Sequence, residues 1–262
     1  MHESPRMFGA LLRAWRGRRG LSQLDLALGA EVSARHVSFL ETGRASPSEA
    51  MVLRLASTLD LPLRDQNDLL LAAGHPRRFP EASALPPSIE DALSRLMAQQ
   101  EPYPLVVLSA AYDVLRMNAA HARLFGPLVK ASPPPQPNLL ELLFDPAALR
   151  PHILDWEVLA ERLLMRLRRE RLAAPGDARF SALTARLLAY PGVPHFELDP
   201  SARLEPVLSL SLSIGGQRLS FLTMVTTFSG AQDITVAELR IESFHPLDEV
   251  TKDHCRRLAD DH

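Results

Sequence analysis

SQLDLALGAEVSARHVSFLETGRASP, Ser22 to Pro47, is the most informative stretch of the chain. It predicts two short helices, each opened by a serine. Ser22 is placed as the N-cap of the first, because a serine oxygen accepts from the unpaired N–H groups at a helix start. Leu24, Ala27 and Leu28 follow at helical spacing and are expected to face a core. Ala30 and Glu31 fill a tight turn, and Val32 turns back inward. Ser33 caps the second helix, Ala34 to about Glu41, with Val37 and Leu40 as its inner positions. Ala34, Arg35, His36 and Ser38 are left near its outer, N-terminal end.

Capped helix pairs also occur in ordinary helical bundles. The whole string is more specific: Ser-Gln at the first start, Val-Ser at the second, Leu-Glu-Thr-Gly-Arg at the end, then Pro47 and Ser48. Together these read as a helix-turn-helix, which lays its second helix into the DNA major groove. The stretch resembles the XRE family of bacterial regulators, whose five-helix all-α domain is similar to that of lambda repressor, over about Met7 to Gly74. The partner this implies is a double-stranded DNA operator. Gln23 suits a phosphate or an adenine, and Arg35 suits guanine through its two-pronged guanidinium. His36 and Ser38 are secondary candidates, with Ser33 and Ala34 beside them at the helix start; His36 can equally serve the cap alone. Arg44, just beyond the helix, suits a phosphate. Members of the family usually carry Gly where this chain has Glu31, so Glu31 is expected either to accept some backbone strain or to alter the turn slightly. The resemblance also implies a buried ion pair between Arg16 and Glu41.

The chain has 262 residues, 46% of them hydrophobic, enough for packed cores. Its formal net charge is −2, so affinity for DNA has to come from a local patch. Arg13, Arg16, Arg18 and Arg19 supply one just before Ser22. Lys130 and Lys252 are the only lysines, and Cys255 is the only cysteine, which excludes an intramolecular disulfide and a cysteine-cluster metal site. No apolar run reaches membrane-spanning length and the N-terminus lacks a signal-peptide core, so no membrane partner and a cytoplasmic location are expected.

Outward from the central stretch, Ser4 and Pro5 start a first helix with Phe8, Leu11, Leu12 and Trp15 inward. Ser48 caps a fourth helix, and Pro62 opens a fifth that ends near Gly74. These five helices define a domain over residues 1–75. Residues 76–87 are proline-rich and read as a linker. A second domain, 88–262, opens with a helix capped by Ser88, with Ala92, Leu96 and Met97 inward. Tyr103 to Ser109 and Tyr112 to Met117 read as a hairpin around Ala110 and Ala111. Asn118 caps a short helix to Gly126. Ala131 to Pro137 is a break. Asn138 to Phe144 is helical, and Asp155 caps the longest helix, Trp156 to about Ala173. From Val207 the period is two: VLSLSLSI, a Gly215-Gly216 turn, and QRLSFLTMVTTF. Ala237 to Phe244 is a fifth strand, and Asp248 caps a last helix. The fold class is therefore two domains, all-α and then α+β, the latter a five-stranded antiparallel sheet with a helical insert.

YDVLRMNAAHARLFG, NLLELLFDP, DWEVLAERLLMRLRRERLAAPGDARFSAL and TTFSGAQDITVAELRIESFHPLD together resemble the MmyB-like (MLTR-type) ligand-binding domain, over about residues 88 to 250. That domain is PAS-like and follows XRE-type helix-turn-helix domains. The chain departs from the common pattern at LEPVLSLSLSIGGQRLSF, where many members carry His-Pro and then Gly-Glu-Leu.

Catalytic signatures are missing: there is no Gly-x-Ser-x-Gly elbow, phosphate-cradling glycine loop or His-Glu-x-x-His. The pairs His152/Asp155 and His195/Glu197 read as surface or helix-end groups. His121 could ligate haem in a PAS-like domain but reads better as a satisfied or exposed histidine. No metal, cofactor or enzymatic activity is expected. Arg162, Arg166 and Arg169 share a face of the long helix, either as a solvated stripe or as a cationic mouth for a carboxylate. Trp156, Arg162, Arg166, Phe221 and Met224 are the candidate ligand residues. The expectation is a homodimeric transcription regulator whose second domain senses a small apolar ligand, the resemblance implying a fatty acid or acyl derivative. The alternative is an effector-free second domain that only dimerises or docks a protein.

Overall fold

The computed structural model describes residues 4–129, 136–193 and 209–260. Lys130, residues 131–135 of the proline-rich break, the His195/Glu197 pair and Val207 lie outside them. Two compact units form, 1–83 with 230–237, and 84–229 with 238–262.

The first unit holds α1 (Ser4–Arg18), α2 (Gln23–Gly29), α3 (Ala34–Glu41), α4 (Glu49–Thr58) and α5 (Leu63–Ala72). Ser22, Ser33 and Ser48 each accept a backbone N–H three residues on, and Asp25 completes a capping box with Ser22. Phe8, Leu12, Trp15, Leu26, Val37, Leu40 and Leu55 build the core. Leu24 and Leu28, expected inside, are 58% and 69% exposed. The buried stripe of α2 runs instead through Leu26 and Ala27 to Ala30. Leu71 of α5 is also exposed, while Asn67 on the same helix is buried. Its side chain accepts from the backbone of Arg78 and Phe79 and donates to the Phe79 carbonyl. Residues read as linker are thereby bound to the helical unit. At Gly9 the backbones of α1 and α3 are close: a Cβ there would stand 2.5 Å from the Glu41 carbonyl oxygen.

The second unit opens with α6 (Pro87–Gln100), whose N-cap is Pro86 rather than Ser88. Leu93 is its buried residue, and Leu96, expected inward, is 40% exposed. Strands β1 (Leu105–Leu108), β2 (Val114–Met117), β3 (Ser209–Ile214), β4 (Gln217–Thr226) and β5 (Arg240–Pro246) form one antiparallel sheet in the order β2-β1-β5-β4-β3. Between β2 and β3 lie α7 (Ala119–Phe125), α8 (Leu139–Phe144), α9 (Trp156–Ala173) and α10 (Ala178–Leu188). The expected strand from Ala237 starts later, because Ile234–Ala237 closes a turn of helix, α11. The chain ends in α12 (Glu249–Asp260).

Asn118 caps α7 and also accepts from the Leu105 backbone, tying helix to strand. Asn138 caps α8. Asp155 precedes α9 but makes no cap hydrogen bond; its backbone is left-handed, φ 54°. One sheet face, carrying Val106, Leu108, Leu210, Leu212, Phe221 and Phe244, packs against α8, α9 and α10. The other, with Leu105, Val107 and Ile241, meets α6. Alternation along β5 therefore puts Arg240, Glu242 and Phe244 on the insert side.

Candidate functional site

In the helical unit α3 is fixed from below. Glu41 is clamped by Arg16 of α1 through paired bonds of 2.6 and 3.0 Å, and their side chains are 15% and 3% exposed. Arg16 also donates to the Leu21 carbonyl. The Gln23 amide nitrogen donates to Glu41 at 2.8 Å, so α1, α2 and α3 meet at one carboxylate. Burial works against the Glu41 anion, but the Arg16 and Gln23 bonds outweigh it and hold its pKa below the usual glutamate range. The pair that the resemblance implied is present.

Above this clamp the N-terminal end of α3 faces outward. Arg35 is exposed, with its guanidinium 5.2 Å from the Phe39 ring centre. Ser33 is exposed; Ala34, His36 and Ser38 are half-buried, and the His36 backbone N–H fills the Ser33 cap. Arg44 is exposed beyond the helix. Gln23, on α2, is half-buried and bonded to Glu41 at the other end of α3. Of the basic patch, Arg16 and Arg19 are fasteners: Arg19 donates to the Leu59 and Asp60 carbonyls at the end of α4. Arg13 and Arg18 remain exposed beside α3's clamp.

In the second unit a narrow cleft lies between insert and sheet. Leu139, Leu140 and Leu143 of α8, Leu159 and Leu163 of α9, and Leu210 and Phe244 of the sheet make it apolar. Its polar lining is Tyr112, Arg166, Thr223 and Glu242. The space enclosed is about 20 Å³, room for about one water.

Behind these groups is a charge cluster. Tyr112, at φ 69°, is a non-glycine residue in left-handed backbone, a conformation that costs about 1–2 kcal/mol. Its hydroxyl donates to Glu170 of α9 at 2.9 Å and accepts from Arg240 at 3.1 Å. Arg240 is also ion-paired to Glu170, and Arg166 reaches Glu170 at 3.3 Å. Both guanidiniums stand over the Tyr112 ring, 5.3 Å away for Arg166 and 4.9 Å for Arg240. Glu242 is 6% exposed. Burial raises its pKa above the usual glutamate value, against the pull of Arg166 and Arg240. Burial also raises the pKa of Tyr112. For Arg166, burial is the largest influence and opposes the charge, yet Tyr112, Glu242 and Glu170 raise its pKa.

Of the five ligand candidates from sequence, Arg166 alone lines the cleft. Arg162 opens onto an adjoining polar hollow with Ser209, Ser211 and Arg218. Trp156 is buried below, its indole donating to the Leu143 carbonyl and its ring 3.6 Å from the Arg150 guanidinium. Phe221 is fully buried in the core beneath Phe244. Met224 corrects the expectation: it is 51% exposed and points to the opposite sheet face. Positions three apart in a strand cannot share a face, so Phe221 and Met224 cannot line one cleft. Tyr112, Thr223, Glu170, Arg240 and Glu242 are not singled out by the sequence pattern. The signal for two of them is in AELRIESF, whose inward positions read Arg, Glu, Phe.

His121 is buried with both ring nitrogens unpaired, its ring 4.6 Å from Phe125 and 6.0 Å from Phe244. Burial alone pushes its pKa down to about 4. No group of three or more potential metal ligands occurs among the described residues.

A family model for the MmyB-like transcription regulator ligand binding domain matches residues 89–258, more than half of the chain. The chain belongs to the MmyB-like transcription regulators. A helix-turn-helix domain model matches residues 7–70 of this MmyB-like regulator. It is similar to the restriction-modification controller protein C.AhdI from Aeromonas hydrophila, 34% identical over 24% of this chain and 94% of that chain, with a TM-score of 0.23. It is also similar to the clp gene regulator ClgR from C. glutamicum, 28% identical over 27% of this chain and 88% of that chain, with a TM-score of 0.24. A search of curated proteins gave no match. The MmyB-like regulator is a DNA-binding helix-turn-helix transcription regulator carrying a ligand-binding domain. Among its described residues no helix is long and apolar enough to cross a membrane.

Proposed function

We propose that this regulator senses an acyl-chain ligand, a fatty acid or close derivative, in the cleft between insert and sheet, and that occupancy changes its hold on an operator. One observation carries the reading: leucine-lined space from α8 and α9 runs to a polar end bearing Arg166. Ligand sites of this kind are mostly apolar, with a few polar groups that fix orientation. The chain packs along the leucines and the head group meets Arg166. The enclosed space is far smaller than an acyl chain, so binding requires the insert to lift from the sheet. A ligand that binds only the opened form shifts the balance between two conformations, as a sensor must.

The signal has a covalent route. β4 carries Thr223 and β5 carries Arg240 and Glu242, and the connection between these strands contributes residues 230–237 to the helical unit. There the Ile234 N–H donates to the Pro80 carbonyl and the Thr235 hydroxyl to the Ala82 carbonyl, both at 2.8 Å. On DNA, Arg35 reads base edges with Gln23, Ser33, Ala34, His36 and Ser38 around it, while Arg44 holds phosphate; two copies engage two half-sites as a homodimer.

Thermal shift of the purified protein with saturated fatty acids of increasing length tests the ligand class. Each buried CH₂ contributes about 0.8 kcal/mol, so the shift should grow with length until the opened cleft is full. A flat response would defeat the sensor reading and favour an effector-free dimerisation module.

A further inference from the structure

The polar end of the cleft has a charge balance that constrains what can bind there. Among the described residues it contains two guanidiniums, Arg166 and Arg240, and two carboxylates, Glu170 and Glu242. Glu170 is already spent on both arginines and on the Tyr112 hydroxyl. Glu242 is the carboxyl group that lines the cleft itself, in the middle of the central strand β5. With Glu242 ionised the cluster is neutral. A ligand carboxylate arriving beside Arg166 would then add a third buried anion against two cations, and an unbalanced buried charge is strongly unfavourable. With Glu242 protonated the cluster carries one net positive charge and a carboxylic O–H donor, which suits a carboxylate.

We propose that the cleft takes its ligand as a carboxylate together with one proton, held by Glu242, so that ligand sensing is coupled to pH. This rests on the acyl reading above and deepens it. Among the described residues the groups facing Glu242 come from four places. From α9 come Arg166 and Glu170, from the β1–β2 turn Tyr112, from β5 itself Arg240, and from β4 the uncharged Thr223. On α7 the cleft residue is Phe125, with the His121 ring packed against it. His121 is held neutral by burial, and the Tyr112 hydroxyl is held protonated, so neither competes for the proton in the physiological range. Burial already favours the acid form of Glu242. A carboxylate placed beside it reinforces that preference, because two neighbouring carboxylates share one proton. The pair titrates as a unit, and free acid in solution stays ionised above about pH 6.

The test is calorimetric titration of the full chain with dodecanoate between pH 6 and 9.5, in buffers of high and low ionisation heat, which counts protons taken up per ligand. The expected result is uptake that rises toward one proton at the alkaline end. Affinity there should fall by up to about tenfold per pH unit. Dodecanol, whose head is neutral, should bind without uptake. Glu242→Gln should bind dodecanoate without uptake and, at the alkaline end, more tightly than the unaltered protein. Dodecanoate binding with no uptake at any pH, or the same uptake in Glu242→Gln, would overturn the proposal while leaving the acyl reading intact. Failure of both dodecanoate and dodecanol to bind would remove the acyl reading and the proposal together. The unaltered protein gives the proton count by itself, so the outcome does not depend on the variant folding.

Discussion

Glu31 holds a φ of 54° in the turn between α2 and α3, the left-handed region that favours glycine. Left-handed backbone costs a residue with a Cβ about 1–2 kcal/mol, and glycine gives back roughly 0.5–1 of that through its greater freedom when unfolded. Glu31→Gly should therefore stabilise the helical unit by about 0.5–1 kcal/mol in denaturant unfolding; a loss of stability would show that the side chain contributes something the backbone conceals. At His121 the sign runs with acid. Its ordinary pKa is 6.5 and the fold holds it near 4, so between those values the unfolded chain takes up a proton that the folded chain refuses. Stability present above pH 6.5 is lost as pH falls, by about 1.4 kcal/mol per unit and about 3 kcal/mol by pH 4. His121→Leu should flatten the stability profile over that range, and an unchanged slope would assign it to other groups. At this scale the sequence was most readable where chemistry is local. Ser22, Ser33, Ser48 and Asn118 cap helices as their neighbours predict, since each bond spans three residues. The Arg240–Glu170 pair joins positions 70 residues apart, and no local pattern announces it.

At the scale of elements, α1 and α3 are held by contact and by charge. The Cβ of an alanine at Gly9 would press on backbone carbonyls of Leu40 and Glu41, which cannot rotate away. Gly9→Ala should cost about 1–3 kcal/mol of stability, as overpacking does, measured by thermal unfolding of the chain; a neutral result would mean that α1 slides freely on α3. Truncating Arg16 or Glu41 alone should cost about 3–5 kcal/mol, because each leaves a largely buried partner. A double-mutant cycle should return strong coupling, and additive losses would contradict the clamp. Periodicity identified the elements well and their faces less well. The stripe of α2 is ambiguous in the sequence because Leu24, Leu26 and Leu28 give it apolar residues all round, and only the neighbouring helices select Leu26. On α6 the fit of Ile89, Leu93 and Met97 to the sheet overrides the equally apolar Leu96. Along β4, strict alternation separates Phe221 from Met224.

For the whole molecule, two domains and an antiparallel sheet with a helical insert are legible because the apolar period changes from 3.6 to 2 along the chain. What was not legible is that residues 230–237, within the second domain's sequence, build part of the first unit. That excursion is where the two functions meet in the proposed account. Ile234→Ser should leave acyl binding in place and weaken its effect on DNA affinity, read by titrating both on one preparation; an undiminished effect would place the route elsewhere. Base reading is separable from this coupling. Arg35→Ala should cost about 1–3 kcal/mol of specific affinity at fixed salt with stability unchanged, and equal affinity would remove Arg35 from the base-reading set. The most direct measurement is operator affinity, on a DNA site selected by the protein from random sequence, titrated with fatty acids of increasing length at one pH and salt. Affinity should change in one direction, by an amount that grows with chain length and then levels off. Operator affinity that stays constant across all lengths, under conditions where the acids bind, would contradict acyl sensing.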